Sequence, residues 1–215
     1  MNLIEQGRYL EIVEHYTRCF RKHGDTHEGV DWPNLRDLIK RYEVMLGLIP
    51  DKGRCSLLDF GCGTAMLHNH ILEKGLNHIE YSGIDLSPEY ITAASAKFPS
   101  VAFHNVDILR EPQKVPKTDY IVMNGVLTEK QSLSFEEMWE YSQALLTVLF
   151  QKCKVGMAFN VMSKAVDWER EDLFHVPLDL LVEFLSSKIS RHFIVRNDYD
   201  LYEYTVYVYR LPCLR

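Results

Sequence analysis

The sequence predicts an α/β protein, a three-layer sandwich in which helices cover both faces of a mostly parallel sheet. From residue 55 onward, short apolar runs alternate with segments of helical periodicity, a pattern typical of parallel strands joined by right-handed crossovers. The last two apolar runs are separated only by "DYDL". Because this join is too short for a crossover, the sheet should end in an antiparallel hairpin.

Two helices are predicted before the first strand, within residues 1–50. In the first, apolar residues at helical spacing run from Tyr9 to Phe20, so one face should pack inward. Pro33 suits the first turn of the second helix. The apolar stripe of that helix consists of Leu35, Leu38, Ile39, Tyr42, Met45, Leu46 and Ile49. These helices should form an N-terminal unit, and residues 51–215 the core of a single domain spanning 1–215.

Seven strands are predicted in the core. The first five are "CSLLDFG" (Cys55–Gly61), "IEYSGID" (Ile79–Asp85), "VAFHNVD" (Val101–Asp107), "DYIVMNG" (Asp119–Gly125) and "VGMAFNVM" (Val155–Met162). Helices are predicted around Ala65–Lys74, Pro88–Lys97, Phe135–Lys152 and Pro177–Lys188. The hairpin strands are Arg191–Asn197 and Tyr202–Arg210.

The composition fits one globular domain. The chain has 215 residues, of which 47% are hydrophobic and 25% charged, enough to bury a sizeable core. Its formal net charge is −6 and its basic residues are scattered, so nucleic acid is not expected as a partner. The sequence contains no signal-peptide pattern and no apolar run of roughly 18 residues, so we expect a cytoplasmic protein that does not enter a membrane. We expect it to be a monomer or a homodimer.

The cysteines argue against a metal site. Their number is odd and they contain no CxxC pair: Cys19, Cys55, Cys62, Cys153 and Cys213. Free thiols in a reducing compartment are therefore expected. His23 and His27, four apart in a polar loop, are better explained by solvated or capping roles than by metal binding.

The loop after the first strand is the favoured ligand site, since ligands of open parallel sheets bind beyond the carboxyl ends of the strands. It contains Gly61 and Gly63, and glycine allows a tight turn or a close approach. A dinucleotide fingerprint would need a third glycine where Met66 stands, which argues against nicotinamide or flavin. No Gly-Lys-Ser/Thr follows, which excludes a P-loop.

Three carboxylates near this loop indicate a cationic nucleoside. Asp59, at the end of the first strand, suits a cation and would repel a pyrophosphate. Asp85 ends the second strand and can accept hydrogen bonds from both ribose hydroxyls, provided that Ser87 caps the following helix and leaves Asp85 free. Asp107 can accept a hydrogen bond from an adenine amine. Adenine, ribose and a positive charge together describe S-adenosylmethionine.

These segments resemble the class I S-adenosylmethionine-dependent methyltransferases. "LLDFGCGTA" resembles their glycine-rich first motif, "YSGIDLS" their ribose-binding strand end, "NVDIL" their adenine contact and "DYIVMNGVL" their fourth-strand motif. The resemblance spans about Cys55 to Arg210, with one departure at Ala65, where a third glycine is common. It implies a Rossmann-like fold, S-adenosylmethionine as cofactor, S-adenosylhomocysteine as product, and N-terminal helices that cap the cofactor.

The resemblance also implies a set of cofactor-binding residues. These are Asp59, Gly61, Cys62 (through its backbone), Gly63, Asp85, Leu86, Asp107, Ile108 and Asn124. In related enzymes an arginine on the helix before the first strand binds the methionine carboxylate of the cofactor. By position Arg41 is the candidate for that role, ahead of Arg36.

Methyl transfer to a carbon already activated by a sulfonium needs mainly positioning and exclusion of water. If the acceptor is a hydroxyl, a general base would help, and the candidates, in declining order, are His175, Glu129 and His27. For His175 a packing role is favoured. Substrate-side residues are expected at Trp32, Asn160 and Ser163, and the acidic segment that contains Trp168 is a candidate lid.

The leading hypothesis is a methyltransferase that acts on an oxygen of a polar small molecule. The acidic charge and the absence of a docking module in the sequence favour it. Methylation of an amine or a carboxyl group remains an alternative. A non-catalytic S-adenosylmethionine-binding protein is a rival of another class, and a nicotinamide-dependent reductase is the least favoured.

Overall fold

The computed structural model describes residues 7–212, so residues 1–6 and 213–215, with Cys213 among them, lie outside the described residues. Within this range the strands are β1 Cys55–Phe60, β2 Ile79–Asp85, β3 Ala102–Asn105, β4 Thr118–Leu127, β5 Cys153–Ser163, β6 His175–Val176, β7 His192–Arg196 and β8 Glu203–Tyr209. They form a single sheet. The predicted α/β fold class is confirmed.

The helices are α1 Leu10–His23, α2 Leu35–Leu46, α3 Met66–Glu73, α4 Pro88–Lys97, α5 Phe135–Lys152 and α6 Leu178–Phe184. A 3-10 turn, Pro112–Lys114, precedes β4, and α6 continues into a π-helical turn, Leu185–Ile189. Among the described residues, no helix has the length and apolar character needed to cross a bilayer.

Side-chain caps fix the start of two helices. Ser134 and Glu137 form a reciprocal capping box at the start of α5, which is why its predicted limits match the structure. α2 begins later than the sequence predicted, because the Asn34 side chain accepts hydrogen bonds from the backbone N–H groups of Arg36 and Asp37. Pro33 therefore lies before the helix, outside its first turn.

The strand order in the sheet is β3-β2-β1-β4-β5-β8-β7. The strands from β3 to β5 run parallel, and β8 is antiparallel to both β5 and β7, as the short join predicted. β6 adds a short parallel pairing to β5 that was not predicted, because two residues carry no periodicity. The chain leaves β1 to one side through β2 and returns on the other through β4, so a cleft should open at the carboxyl ends of β1 and β4.

Both faces of the sheet are buried, as expected for parallel strands. Along β1, Leu58 and Phe60 belong to the core beneath α5, whereas Leu57 belongs to the core beneath α2 and α3. The apolar face of α2 is narrower than predicted: Leu35 and Ile39 are 46% and 38% exposed. The helix buries the residues spaced three and four apart, Leu38, Tyr42 and Met45.

A buried ion pair connects α2 to the far side of the sheet. Glu203, the first residue of β8, is fully buried. Its Oε2 accepts a hydrogen bond from Arg41 Nε at 2.8 Å, and Arg41 Nη2 lies 2.7 Å from the same oxygen in an ion pair. Its Oε1 accepts a hydrogen bond from Asn160 Nδ2 at 3.0 Å. Because Asn160 Oδ1 accepts a hydrogen bond from the Gly125 N–H at 2.8 Å, this network joins α2, β4, β5 and β8.

Arg41→Met should destabilise the protein by about 3–5 kcal/mol, because it leaves the Glu203 carboxylate buried without its cation. The matched control is Lys40→Met on the same helix, which removes an exposed contact with Asp200 at 3.9 Å and should have little effect. Urea unfolding of the two variants measures the difference. Equal losses of stability would show that the Arg41–Glu203 pair is not the contact that holds α2.

Candidate functional site

A cavity opens where the sheet topology places it, at the carboxyl ends of β1, β2 and β4 and beneath α1. Its volume is about 110 Å³. Asp59 and Asp85 line it, whereas none of the described residues that line it is Lys or Arg. The cavity is therefore suited to a ligand that carries positive charge.

The loop between β1 and α3 is tightly wound at Gly61, Gly63 and Ala65. Their φ angles are +76°, +52° and +60°, all in the left-handed region. A Cβ atom on Gly61 would lie 2.4 Å from Cγ2 of Val126, the residue that faces it from β4. Ala65 adopts this backbone at a cost of roughly 1–2 kcal/mol that glycine would avoid. Only glycine at position 61 leaves room between this loop and β4.

The Asp85 carboxylate connects the loop after β1 to the loop after β2 by hydrogen bonds. Its Oδ2 accepts a hydrogen bond from the Gly63 N–H at 2.9 Å, and its Oδ1 one from the Ser87 N–H at 2.8 Å. Burial raises its pKa to about 6, although these backbone hydrogen bonds lower it. A carboxylate has about four lone-pair sites, so acceptor capacity remains for a ligand.

The predicted capping role of Ser87 is wrong. Ser87 is the residue before α4, but its side chain makes no capping hydrogen bond. Its hydroxyl oxygen instead accepts a hydrogen bond from Thr17 of α1 at 3.0 Å. The serine therefore fastens α1 to the rim of the sheet.

Asp59 lies at the floor of the cavity and is 3% exposed. Tyr81 on β2 donates a hydrogen bond to its Oδ2 at 2.7 Å. Burial raises the pKa of Asp59 to about 7, and the nearby Asp85 carboxylate adds to this effect. A bound cation would favour the ionised form of this group.

One end of the cavity is aromatic. Tyr9 stacks on Tyr141 with their ring centroids 5.2 Å apart and their planes inclined by 13°. The Tyr9 hydroxyl donates a hydrogen bond to Asp107, whose other oxygen accepts one from the Leu109 N–H at 3.0 Å. Tyr9 was not predicted as a site residue, although its phase with Ile12 and Tyr16 on α1 was visible in the sequence.

The predicted cofactor residues divide into two groups. Those at the cavity surface are Asp59, Gly61, Cys62, Gly63, Asp85, Leu86 and Asn124. Asp107 lies behind Tyr9, and Ile108 is buried in the core. Arg41 is bound to Glu203 and does not line the cavity, and Arg36 is exposed.

Asn124 lines the cavity and has a side-chain oxygen that is not hydrogen-bonded to any described residue. Its Oδ1 is buried without a hydrogen-bond partner among the described residues, and such an atom is costly unless something pairs with it. Asn124 lies in β4, opposite the glycine loop. An N–H or O–H donor of a ligand would satisfy this oxygen.

Of the predicted substrate-side residues, Trp32 lines the cavity. The Arg41 guanidinium lies 4.1 Å above its ring centroid, which holds the ring against Gly125. Asn160 is fully buried in the Glu203 network. Ser163 accepts a hydrogen bond from the Ala165 N–H at 3.1 Å. The structure does not bring Asn160 or Ser163 to the cavity, because each side chain is used within the fold.

The two histidines predicted as candidate bases, His175 and His27, are hydrogen-bonded to backbone groups. His175 Nδ1 donates a hydrogen bond to the Ser163 carbonyl at 2.6 Å, and its Nε2 accepts one from the Arg170 N–H at 3.3 Å. His27 Nδ1 donates to the Trp32 carbonyl at 2.6 Å. Neither ring lines the cavity, so the structure favours the packing interpretation of His175.

The candidate lid does not cover the cavity. Trp168 is 71% exposed and lines a separate groove. The segment packs beside the end of β4, where the Phe174 N–H donates a hydrogen bond to the Thr128 carbonyl at 2.7 Å. Its acidic residues therefore lie on the rim of the site and not above it.

Glu129 belongs to a polar cluster at this rim, with His15, Cys19 and Asp31. Burial raises the pKa of Glu129 to about 7, assisted by the Asp31 and Asp172 carboxylates. The His15 pKa is raised by its hydrogen bond to Asp31, 2.7 Å from its Nε2. Sequence reasoning named Glu129 but did not group it with His15, Cys19 and Asp31, because residues on α1 and on the following loop meet only in the fold.

Comparisons with known proteins agree with this architecture. Residues 58–148 match the model of a family described as a methyltransferase domain. The provisionally named methyltransferase Rv1506c of Mycobacterium tuberculosis is 28% identical over 155 residues, which cover 71% of this chain and 92% of that protein.

Two solved structures share the fold. Magnesium protoporphyrin IX methyltransferase from Synechocystis, crystallised with S-adenosylmethionine, has a TM-score of 0.61 and 17% identity, and the match covers 94% of this chain and 97% of that one. The 1,6-didemethyltoxoflavin-N1-methyltransferase of Burkholderia thailandensis, crystallised with S-adenosylhomocysteine and its substrate, has a TM-score of 0.62 and 15% identity, with 97% and 90% covered. The chain is thus similar to a methyltransferase domain family, to one methyltransferase relative and, in its fold, to two solved methyltransferases.

Gly61→Ala should destabilise the protein, because the new Cβ would collide with Val126. It should also raise the dissociation constant of S-adenosylmethionine about tenfold, which corresponds to a loss of about 1.4 kcal/mol of binding free energy. The matched control is Gly75→Ala, at a φ of +66° with no atom within 4 Å. It bears only the left-handed strain of roughly 1–2 kcal/mol. Urea unfolding and calorimetric titration measure both variants, and equal behaviour would show that the approach of Val126 is unimportant.

Proposed function

We propose that the protein is a class I S-adenosylmethionine-dependent methyltransferase that transfers a methyl group to a hydroxyl oxygen of a polar small molecule. The observation that carries the proposal is Glu129, a half-buried carboxyl group with a pKa raised to about 7. Glu129 does not line the cavity itself, but it interacts electrostatically with Tyr16, which lines this cavity suited to a cationic adenosine. A base with a pKa near the working pH is what removal of a hydroxyl proton requires.

The lining supports one orientation of the cofactor. The aromatic end at Tyr9 and Tyr141 offers apolar surfaces for adenine, and Asp85 offers carboxylate oxygens for the ribose hydroxyls. The sulfonium and the ammonium group then approach Asp59, the buried carboxylate. Asn124 Oδ1 is available to a donor of the methionine part. In this arrangement α1 and α2 form the cap over the cofactor and belong to the same functional unit as the sheet.

The cofactor supplies the methyl group, on a carbon already activated by the sulfonium. The acceptor oxygen attacks that carbon in line as the S–CH₃ bond breaks, and the electron pair of that bond stays on sulfur. Glu129 takes the hydroxyl proton. The positive charge of the sulfonium disappears in this step, so the protein needs chiefly to hold the acceptor close and to exclude water. Trp32 and Tyr16, which line the cavity between α1 and β4, close this side against solvent.

The negative charge at the rim disfavours some classes of methyl acceptor. Asp31, Glu129 and Asp172 lie together there, opposed by Arg170. This excess of carboxylates would repel an acceptor that is itself a carboxylate. The same charge attracts an amine, so N-methylation is the second candidate function.

The test is a panel of small polar hydroxyl, amine and carboxyl compounds incubated with the protein and S-adenosylmethionine. Formation of S-adenosylhomocysteine and of an O-methyl product supports the proposal, whereas only N-methyl products would overturn the choice of oxygen. Binding of S-adenosylmethionine without turnover across the panel would favour a non-catalytic binding protein. A nicotinamide fluorescence titration should show no binding.

The affinity for S-adenosylmethionine should rise as the pH rises from 6 to 8. Free Asp59 has a pKa of about 7 and is largely protonated at pH 6; the cationic cofactor favours its ionised form, so binding below pH 7 releases a proton. Calorimetric titration in buffers of different ionisation enthalpy measures that release, which should be smaller in Asp59→Asn. Glu80→Gln, at an exposed position on the same β2 that carries Tyr81, is the control. Unchanged proton release in Asp59→Asn would contradict the assignment.

Glu129→Gln should lower kcat about 10²–10⁴-fold with a hydroxyl acceptor and leave S-adenosylmethionine affinity unchanged. In the wild type, kcat/KM should rise with pH up to about 7, because protonated Glu129 cannot accept the hydroxyl proton. The variant should lose this rise. Glu171→Gln, an exposed carboxylate of the neighbouring segment, is the control. A pH profile that persists in Glu129→Gln would assign the base elsewhere.

A further inference from the structure

We propose that His15, Cys19 and Asp31 form a binding site for a zinc-class divalent cation at the rim of the cavity. The imidazole Nε2, the thiol sulfur and a carboxylate oxygen lie within 4.8 Å of one another. Within residues 7–212, no other three side chains of these types come together in this way. Neither the proposed acceptor nor the role of Glu129 is needed for this inference.

The distances between the donor atoms are close to those of a tetrahedral zinc site. Cys19 Sγ lies 3.8 Å from His15 Nε2 and 3.6 Å from Asp31 Oδ1. With zinc–nitrogen and zinc–sulfur bonds of about 2.0–2.1 and 2.3 Å, nitrogen and sulfur would be separated by about 3.5 Å. His15 Nε2 and Asp31 Oδ2 are 2.7 Å apart and hydrogen-bonded. A shared cation would replace that proton and widen this distance by about half an ångström.

Two elements of the fold, α1 and the loop after it, bring the three donors together. His15 and Cys19 are four residues apart on α1, so both side chains lie on one face of the helix. Asp31 has a φ of +61°, a conformation that residues other than glycine rarely adopt. The turn around it is closed by backbone hydrogen bonds from the Asp31 N–H to the Glu28 carbonyl and from the Trp32 N–H to the His27 carbonyl. The carboxylate is thus held towards α1 by the loop.

The donor set indicates the class of cation. Imidazole, thiolate and a single carboxylate suit zinc and similar transition metals, whereas magnesium and calcium prefer oxygen ligands throughout. Three protein ligands leave a fourth position open for water or another small ligand. The three side chains are half-buried, so solvent reaches the site.

The surroundings carry net negative charge. Glu129 interacts electrostatically with His15, Cys19 and Asp31, and Arg18 and Arg170 are the cations that oppose this charge. A metal at this place would connect α1 to the loop that leads into α2. Tyr16 next to His15, and Trp32 next to Asp31, line the cavity, so binding would fix the cap around it.

Titration of the reduced protein with Co²⁺ tests the site by its spectrum. We expect one ion per chain, tetrahedral d–d bands and a thiolate-to-cobalt charge-transfer band, all displaced by Zn²⁺. Cys19→Ser should abolish the charge-transfer band, and His15→Gln and Asp31→Asn should each weaken Co²⁺ binding about 10–100-fold. Thermal unfolding should show stabilisation by Zn²⁺ in the wild type and less in these variants.

His104→Gln, on β3 at the edge of the sheet, is the control and should bind Co²⁺ as the wild type does. Absence of binding, or binding without a charge-transfer band in the wild type, would overturn the proposal and leave a His15–Asp31 ion pair beside a free thiol. A band that persists in Cys19→Ser would assign the metal to another cysteine and overturn it equally. Because the wild-type spectrum alone is decisive, misfolding of a variant does not remove the test.

Discussion

The buried carboxylate of Glu203 is the group on which the cap and the sheet both depend. It accepts hydrogen bonds from Arg41 of α2 and from Asn160 of β5, and the Asn160 side chain accepts the Gly125 N–H of β4. The Gly125 carbonyl in turn accepts a hydrogen bond from Tyr16 of α1 at 3.1 Å. A charge buried at this depth is tolerated only when it is paired and hydrogen-bonded. Its partners are therefore held in place, and with them the end of β4, where the cavity opens.

The groups that form the cavity lower the stability of the protein when no ligand is bound. Asp59 and Asp85 are carboxyl groups whose pKa values burial raises to about 7 and about 6, and Ala65 adopts a left-handed backbone in the loop between them. Each feature costs free energy in the protein without ligand. A cationic ligand would recover part of that cost by pairing with the carboxylates. Strain and buried charge concentrated at one edge of the sheet are what a binding site requires, whereas the two apolar cores on its faces supply the stability.

The carboxyl ends of the strands were predictable as the site, but the side chains that reach it were only partly so. Asp59 and Asp85 line the cavity because their strands deliver them there, and strand ends can be located from local apolar patterns. Arg41 was expected to bind the cofactor from its position in the chain. Its true partner, Glu203, lies 162 residues away, and no local pattern reveals a contact of that range. Asp107 was expected to face the ligand, yet one of its carboxylate oxygens accepts a hydrogen bond from Tyr9, which lies 98 residues before it in the chain.

The sequence by itself determined the order of the elements, the parallel sheet with its antiparallel end and the glycine loop that lines the cavity. These follow from hydrophobic periodicity, turn residues and connection lengths, which act over a few residues. Only the tertiary structure decided which polar groups are free and which are already paired. In the fold, both ring nitrogens of His175 are hydrogen-bonded to backbone groups, whereas Asn124 Oδ1 has no partner among the described residues. The fold also brings His15, Cys19 and Asp31 together. The reason is that hydrogen bonds and charges pair across the fold, between residues whose separation along the chain carries no information about their contact.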